Sequence, residues 1–283
     1  MPPPHNPHPQ GPVTVLGGRG YIGQHLVQGL RHSGLDPWVP QRDDPAVFER
    51  PLGVVYFCVG LTADFRSRPF ETVDAHVGFL RQLLQHAHFD QLVYLSSTRV
   101  YLGAAGTQED QALVVRPQDA DDLYKLSKLM GESLALHSGR RCKVVRLSNV
   151  VGGEHGNPDS FVYSLLADAR RGHVVLRSHP DSAKDYVHID DVVDLLPQIA
   201  LRGQHHTYNL ASGKQTTHRQ WLEAICNATG ATWETTDHCP LQAFAPIDVQ
   251  RIQREFGFKA AWPVERFIPH TPSSALTTPQ RPL

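Results

Sequence analysis

The sequence predicts an α/β protein with a doubly wound parallel sheet and a smaller C-terminal lobe. Three observations support this fold class. Short apolar runs alternate with helical patterns through the first half, a glycine-rich turn joins the first run to the first helix, and the texture changes after Val150. Such alternation is typical of right-handed βαβ units, which build parallel sheets covered by helices.

The elements of the first half follow from hydrophobic periodicity and turn residues. We predict strands at Val13–Leu16, Pro37–Pro40, Val54–Val59, Leu92–Leu95 and Lys143–Leu147, and helices at Tyr21–His32, Glu71–His86 and Asp121–His137. The prolines of the second strand leave its boundaries open, because proline cannot donate a hydrogen bond to a sheet.

A glycine-rich turn follows the first strand, in the segment VTVLGGRGYIGQHL. Glycine lets a backbone turn tightly against a pyrophosphate, and a helix N-terminus offers unpaired N–H groups to it. A plain tight turn would use the same residues, but the flanking strand and helix favour a dinucleotide site in a Rossmann-type sheet. The predicted cofactor contacts of this turn are Gly17, Arg19, Gly20, Tyr21, Ile22 and Gly23.

The residues after the second predicted strand bear on the type of dinucleotide. An acidic side chain about 20 residues beyond the turn would bind the ribose of NAD, whereas an arginine would pair with the 2′-phosphate of NADP. Gln41 occupies that place, Arg42 follows it, and Arg19 offers a second guanidinium. We therefore predict NADP, with NAD as the alternative because Asp43 and Asp44 are adjacent.

These patterns divide the chain into segments. Residues 12–150 form the predicted dinucleotide-binding domain, and residues 186–202 return to it through a helix at Asp190–Ala200. Residues 151–268 form an interleaved substrate-binding lobe. The prolines of residues 1–11 predict a disordered lead-in, and residues 269–283, rich in Pro, Thr and Ser, predict a loose tail.

Charge and hydropathy limit the partners of the protein. The formal net charge of the 283 residues is −1, so no basic face favours nucleic acid. No apolar run approaches the roughly 18–20 residues that span a bilayer, and the N-terminus lacks the features of a signal peptide. We expect a small-molecule substrate, no nucleic acid and no membrane as partners.

Cysteine and histidine spacing indicates neither disulfides nor a metal. The four cysteines, Cys58, Cys142, Cys226 and Cys239, lie far apart and form no Cys-x-x-Cys pair. They are predicted to be reduced thiols in a cytoplasmic protein. Seventeen histidines include two close pairs, but no third ligand stands at a suitable spacing, so no metal is predicted.

Two further features carry chemistry. Tyr124 and Lys128 stand at i and i+4 of a predicted helix, where the ammonium would lower the tyrosine pKa and favour proton transfer near neutral pH. An ordinary amphipathic helix shows the same pair by chance. The segment LSSTRVY places hydroxyl groups at the carboxyl end of a strand, where they could polarise a substrate oxygen, although hydroxyl-rich loops are common.

Together these motifs resemble the short-chain dehydrogenase/reductase superfamily, and more narrowly its extended branch, the nucleotide-sugar epimerase/dehydratase family. The resemblance covers about residues 12 to 265 and is specific for the family rather than for one reaction. It rests on the segments GGRGYIG, YFCVG, LSSTRVY, YKLSKLMGE, VVRLSNVVGG, KDYVHIDDV, YNLASG and DVQRIQREFGF.

The resemblance implies roles for individual residues. Tyr124 would be the acid/base, Lys128 would tune it and bind the cofactor ribose, and Ser97 would bond the reacting oxygen, with Thr98 as the fallback. Val59 would lie in the turn over the cofactor, and Asn149 near the substrate. Family members often dimerise through two helices, here those beginning near Glu71 and Asp121, so a homodimer is expected.

Departures from the family pattern narrow the reaction. Thr98 and Arg99 replace the acidic pair of the family's dehydratases, which disfavours dehydration. Lys184 replaces an arginine that often meets a substrate diphosphate, His238 replaces a second one, and His76 stands where the family usually has Asn. We expect a sugar ketoreductase or epimerase, the sugar being nucleotide-linked. Net reduction is favoured slightly over epimerisation with tightly held NAD, and a non-catalytic dinucleotide sensor or scaffold is the alternative of another class.

Overall fold

The computed structural model describes residues 11–61, 65–153, 156–157, 160–242, 244–261 and 263–267. Apart from Gly11, the predicted lead-in lies outside the described residues, as does the whole predicted tail.

The first half alternates strands and helices in the predicted order. Its elements are β1 (Val13–Leu16), α1 (Tyr21–His32), β2 (Val54–Phe57), α2 (Pro69–Val73), a π-helical turn (Asp74–Gly78), α3 (Phe79–His86), β3 (Gln91–Ser97), a 3₁₀ turn (Thr98–Tyr101), α4 (Asp122–His137) and β4 (Cys142–Leu147).

The second half has shorter strands and more loops. Its elements are β5 (Asn149–Val151), α5 (Phe161–Ala169), β6 (His173–Leu176), β7 (Ala183–His188), α6 (Ile189–Arg202), β8 (Thr207–Leu210), β9 (Gln215–Thr217), α7 (His218–Thr229), β10 (Thr232–Thr235), α8 (Gln250–Phe256) and α9 (Pro263–Phe267).

The main sheet has five parallel strands in the order β1-β2-β3-β4-β8, which confirms the predicted α/β, Rossmann-type fold class. Strand β1 lies at a point where the chain order reverses, since β2 pairs on one side and Trp38 on the other. In sheets of this kind, ligands bind beyond the carboxyl ends of the strands at such a switch point. The glycine turn after β1 is therefore well placed for a ligand.

The predicted strand at Pro37–Pro40 is wrong as a strand. Only Trp38 pairs with β1: its N–H donates to Val13 O at 2.8 Å, and its carbonyl accepts from Val15 N–H at 2.9 Å. Because Pro37 and Pro40 have no N–H to donate, the ladder stops after one bridge. The segment still covers the outer edge of β1.

The predicted helix Glu71–His86 begins earlier and is not uniform. It begins at Pro69, since proline suits the first turn of a helix, and the π-helical turn interrupts it before α3. The hydrophobic period of the sequence does not reveal this turn, because one extra residue per turn shifts the pattern only locally. The π-helical turn brings His76 into the protein interior.

Among the described residues, three apolar clusters organise the packing. Helices α1 and α6 cover one face of the main sheet, so that Leu26 and Ile199 are buried in the same cluster as Val145. Helix α3 packs on the other face. The third cluster lies in the second half, around Trp221, and joins α5, α7 and α9 to the sheet β5-β7-β9 and the pair β6-β10.

Candidate active site

The glycine turn is shaped by contacts that leave no room for side chains. Gly17 has a φ of +75°, and a Cβ there would lie 2.9 Å from the Cys58 carbonyl. A Cβ on Gly23 would lie 2.3 Å from Gly17 O, so α1 packs directly on the turn. Gly20 caps α1 without a side-chain hydrogen bond, which leaves the first N–H groups of the helix for a ligand. This geometry fits a dinucleotide pyrophosphate.

The predicted cationic contacts lie on the surface beside this turn. Arg19 is exposed and lines a cleft of about 580 Å³ together with Gln28 and Arg31 of α1. Arg42 is 85% exposed, and its guanidinium is 3.8 Å from the Asp43 carboxylate. An ion pair so exposed is worth little, so Arg42 can turn to a phosphate at small cost. Val59 is half-buried and lies just after the carboxyl end of β2, the strand that pairs with β1.

Ser97 is the last residue of β3 and caps the 3₁₀ turn that follows. Its Oγ accepts the Arg99 N–H at 3.2 Å, which occupies one lone pair and leaves the hydroxyl proton to donate elsewhere. The Ser97 side chain also acts on Tyr124, whose pKa it helps to lower. The strand end and α4 therefore bring these two predicted residues together.

Tyr124 is 4% exposed and is held between aromatic and cationic groups. Its ring centroid is 5.5 Å from that of Phe65 and 5.3 Å from that of His76, which meets it edge-on. Burial raises the pKa of Tyr124, while Ser97 and the Arg99 guanidinium act to lower it. The expectation that Lys128 lowers this pKa is therefore wrong for the free protein, because desolvation dominates.

Lys128 lies one helical turn from Tyr124 and is among the most buried cations of the chain, 5% exposed. Its Nζ donates to Leu95 O at 3.0 Å and lies 6.0 Å from the centre of the Tyr124 ring. Burial lowers the pKa of Lys128 to about 7, against the opposing charge of Glu132. One N–H of the ammonium donates to Leu95 O, and the other N–H groups can donate to a ribose hydroxyl.

His76 completes the surroundings of Tyr124, and its role is not apparent from the sequence. Its Nε2 accepts the Leu61 N–H at 3.3 Å, and its Nδ1 is 2.8 Å from Ser127 Oγ, which itself donates to Tyr124 O. The imidazole is thus neutral with its proton on Nδ1, which donates to Ser127. Burial and the Lys128 charge lower the pKa of His76 to about 2. Only its replacement of an expected Asn distinguishes it in the sequence.

A buried ion pair fixes α4 beneath this group. Arg146 of β4 donates to both carboxylate oxygens of Glu132, with a closest distance of 2.7 Å, and the side chains are 6% and 4% exposed. Ser96 Oγ also donates to Glu132 at 2.5 Å. Because Glu132 lies one turn after Lys128, this network sets the position of the lysine relative to β3.

The predicted substrate contacts lie around the same strand ends. Thr98 is half-buried in the 3₁₀ turn. Asn149 is exposed at the start of β5, and its Nδ2 donates to Asp185 O at 2.9 Å. Lys184 of β7 is half-buried, with Nζ 5.4 Å from the Phe244 ring centroid. In the sequence Arg99 stands out only as a departure from the family pattern, but its Cζ lies 5.5 Å from the centre of the Tyr124 ring.

A glycine cradle and a Ser–Tyr–Lys group at the carboxyl edge of one parallel sheet define the class, a short-chain dehydrogenase/reductase of the extended type. The sequence profile of the NAD dependent epimerase/dehydratase family matches residues 13–211, and the chain belongs to that family of enzymes.

Solved structures show the same fold at low sequence identity. MoeE5 in complex with UDP-glucose and NAD is 23% identical, with a TM-score of 0.75 over 92% of this chain and 98% of that one. The dTDP-glucose 4,6-dehydratase of Bacillus anthracis, in complex with NAD, is 20% identical, with a TM-score of 0.72 over 92% and 94%. RMD from Pseudomonas aeruginosa, complexed with NADPH, is 18% identical, with a TM-score of 0.74 over 91% and 96%.

None of the helices in the described part of the chain has the length and apolar composition that a membrane span requires. Within the same part of the chain, no group of three or more His, Cys, Asp or Glu side chains is placed to hold a metal ion. All four cysteines are free thiols.

Proposed function

We propose that the protein is an NAD(P)-dependent sugar oxidoreductase, a ketoreductase or epimerase that acts on a nucleotide-linked sugar. The observation that carries the proposal is the convergence of Ser97, Tyr124 and Lys128 at the edge of the sheet that also holds the glycine turn. Lys128 is buried there with its pKa lowered to about 7, and burying an ionisable side chain is unfavourable unless a partner or ligand compensates for it.

Each residue has a role that follows from its surroundings. Tyr124 Oη moves a proton to or from the substrate oxygen, and Ser97 donates a hydrogen bond to that oxygen. The Lys128 ammonium binds the cofactor ribose, and the Arg99 guanidinium acts to lower the pKa of Tyr124. His76 holds the backbone of Leu61 and, through Ser127, that of Tyr124. A bound nicotinamide would supply or accept the hydride.

NADP is the proposed cofactor, with Arg19 and Arg42 binding the 2′-phosphate. The test is the Kd of NADPH and NADH measured by fluorescence for the wild type and for Arg42→Ala, with the exposed Arg81→Ala as the control. We expect the wild type to prefer NADPH and Arg42→Ala to lose about 10-fold or more of that preference, the range of a charge-assisted hydrogen bond. Tighter binding of NADH by the wild type would contradict this assignment.

Net reduction rather than epimerisation is proposed, because a loosely held NADP(H) can exchange between turnovers. Anaerobic purification followed by analysis of the bound nucleotide tests this choice. A protein that elutes without stoichiometric cofactor supports the reductase, whereas stoichiometric NAD identifies an epimerase that regenerates its own cofactor.

A nucleotide-linked sugar is proposed as the substrate because the similar MoeE5 structure is described with UDP-glucose. Nucleotide sugars and their keto forms can be screened by following the absorbance of the reduced nicotinamide. Turnover of at least one of these compounds, abolished by Tyr124→Phe, is the expected result. Protein that binds the dinucleotide but turns over none of them would point to the sensor or scaffold.

A homodimer is proposed through α2 and α4, which pack side by side. Their outer faces expose Phe70 (82%), Val73 (40%) and Met130 (55%), apolar side chains that a second copy would cover. Light scattering after gel filtration should give a dimer for the wild type and a monomer for Phe70→Asp. Leu241→Asp, at a 59% exposed apolar residue elsewhere, is the control and should leave the dimer intact. A cytoplasmic location stays a prediction.

A further inference from the structure

A short loop after β5 contacts the first turn of α1, although the two belong to different halves of the chain. The loop contains Gly152 and Gly153, and β5 leads into it from Asn149, the proposed substrate contact. Helix α1 begins at Tyr21, directly after the glycine turn. The fold therefore brings the proposed cofactor site into direct contact with a segment of the substrate side.

Two tyrosine hydroxyls converge on a single carbonyl of this loop. Tyr21 Oη donates to Gly152 O at 2.8 Å, and Tyr163 Oη, from α5, donates to the same oxygen at 3.0 Å. A carbonyl oxygen has two lone pairs, so both hydrogen bonds can form at once. Burial raises the pKa of Tyr163 to about 12 and that of Tyr21 well above its ordinary value, so both hydroxyls keep their protons near neutral pH. Gly152 O is thus held from α1 and from α5 together.

The two glycines of the loop have no side chains with which to hold their own position. Gly152 and Gly153 have φ values of +98° and +79°, a region that favours glycine. A Cβ on Gly152 would lie 2.2 Å from His188 Nε2, and one on Gly153 would lie 2.2 Å from His25 Nε2. The loop therefore passes between two imidazole rings, and its position depends on the groups that contact its backbone.

Helix α1 contributes two of these contacting groups from its first turns. The ring of His25 meets that of Tyr21 edge-on, with 5.2 Å between the centroids, and His25 Nδ1 is 2.8 Å from Tyr21 O. The two side chains therefore move with the start of the helix. A pyrophosphate bound to the N–H groups at that end of α1 would fix this part of the helix and everything attached to it.

We propose that Tyr21 is a positioning residue that couples dinucleotide binding to the placement of the loop after β5. The bound pyrophosphate holds the start of α1, the Tyr21 hydroxyl carries this constraint to Gly152 O, and β5 carries it to Asn149. The inference rests on the dinucleotide site of the proposed function and adds a link from that site to the substrate side. By linkage, a ligand that binds the ordered loop strengthens dinucleotide binding by the same factor.

Hydrogen–deuterium exchange of the full chain, with and without saturating dinucleotide, tests the link. NADPH is the probe, or NADH if it binds more tightly. In the wild type we expect the dinucleotide to slow amide exchange of residues 149–153 by about 3- to 10-fold, the range of one net hydrogen bond. Tyr21→Phe keeps the ring and the backbone N–H groups, so the slowing should persist in the glycine turn and be lost at residues 149–153.

Two other tyrosine variants are the controls. Tyr163→Phe removes the second hydrogen bond to Gly152 O but leaves the link to α1, so residues 149–153 should exchange faster in both states with the ratio between the states unchanged. Tyr56→Phe removes a buried hydroxyl that has no hydrogen-bond partner among the described residues, and it should behave like the wild type. A purely structural role of Tyr21 would give the pattern of Tyr163→Phe, faster exchange with an unchanged ratio.

Two outcomes overturn the link. One is exchange at residues 149–153 that does not respond to the dinucleotide in the wild type, a result that needs no variant to fold. The other is a ratio in Tyr21→Phe equal to that of the wild type. In either case, turnover that depends on Tyr124 leaves the proposed function standing. A link that depends on Tyr21 in a protein that turns over no nucleotide sugar would keep the inference and remove the proposed function.

Discussion

Lys128→Met should stabilise the protein while abolishing its activity. Burial holds the pKa of Lys128 at about 7, compared with 10.5 for an ordinary lysine. At about 1.4 kcal/mol per pH unit, this difference corresponds to a penalty of about 5 kcal/mol for carrying the proton into the folded state. The substitution also removes the hydrogen bond to Leu95 O and leaves that carbonyl unpaired, which costs about 1–3 kcal/mol. The net gain expected near pH 7 is about 2–4 kcal/mol.

The gain should depend on pH in a defined direction. Below pH 7 the folded and unfolded chains both hold the Lys128 proton, so the penalty is complete. Between pH 7 and about 10.5 only the unfolded chain holds it, and each pH unit lessens the penalty by about 1.4 kcal/mol. The advantage of Lys128→Met over the wild type should therefore shrink by about 2 kcal/mol between pH 7 and pH 8.5.

Urea denaturation at several pH values measures both effects. Lys125→Met is the matched control on the same helix, because Lys125 is equally buried but lies 2.9 Å from the Asp122 carboxylate. Lys125→Met leaves the buried Asp122 carboxylate without its cation and should destabilise the protein by about 3 kcal/mol. A Lys128→Met protein less stable than the wild type, by an amount independent of pH, would refute the assignment of a depressed pKa to this lysine.

Three other predictions concern the proton donor, the buried ion pair and the glycine turn. Tyr124→Phe should lower kcat about 10²- to 10⁴-fold while changing the dinucleotide Kd only slightly; unchanged turnover would exclude Tyr124 as the acid/base. Glu132→Gln should lower the free energy of unfolding by about 3–5 kcal/mol, and the double variant Glu132→Leu with Arg146→Met should recover part of the loss, as chemical denaturation would show. Gly23→Ala should distort the turn and abolish dinucleotide binding, measured by fluorescence, because its Cβ would clash with Gly17 O. Gly20→Ala, whose Cβ has its nearest contact at 3.3 Å, should fold normally. Equal effects of the two substitutions on folding would contradict the packing described.

Local sequence patterns predicted much of the fold. The first strand and the first helix have the predicted bounds, Val13–Leu16 and Tyr21–His32, because a buried apolar run and a regular 3.6-residue period leave few alternatives. Residues Pro37–Pro40 do not form the expected strand for an equally local reason, because proline has no N–H group to donate to a sheet. Where a feature depends on one extra residue in a helical turn, as around His76, periodicity has no means of showing it.

The grouping of Ser97, Tyr124 and Lys128 was predicted by resemblance, and the structure supplies its physical setting. Spacing alone suggests that an ammonium lowers the pKa of Tyr124. Burial of the whole group reverses that sign and depresses the pKa of Lys128 instead. Desolvation depends on everything packed around a side chain, including Phe65 from a distant loop, so it cannot be obtained from a five-residue motif.

By itself, the sequence determined the Rossmann-type sheet, the glycine turn and the family, because each depends on short stretches whose residue types are limited by backbone geometry. The tertiary structure decided which cation lies beside the proposed proton donor. Arg99 and Tyr124 stand 25 positions apart, and the guanidinium Cζ lies 5.5 Å from the ring centre because the 3₁₀ turn after β3 packs against α4. Electrostatic interactions fall off with distance in space rather than along the chain, so the positive charge beside Tyr124 became apparent only in the folded molecule.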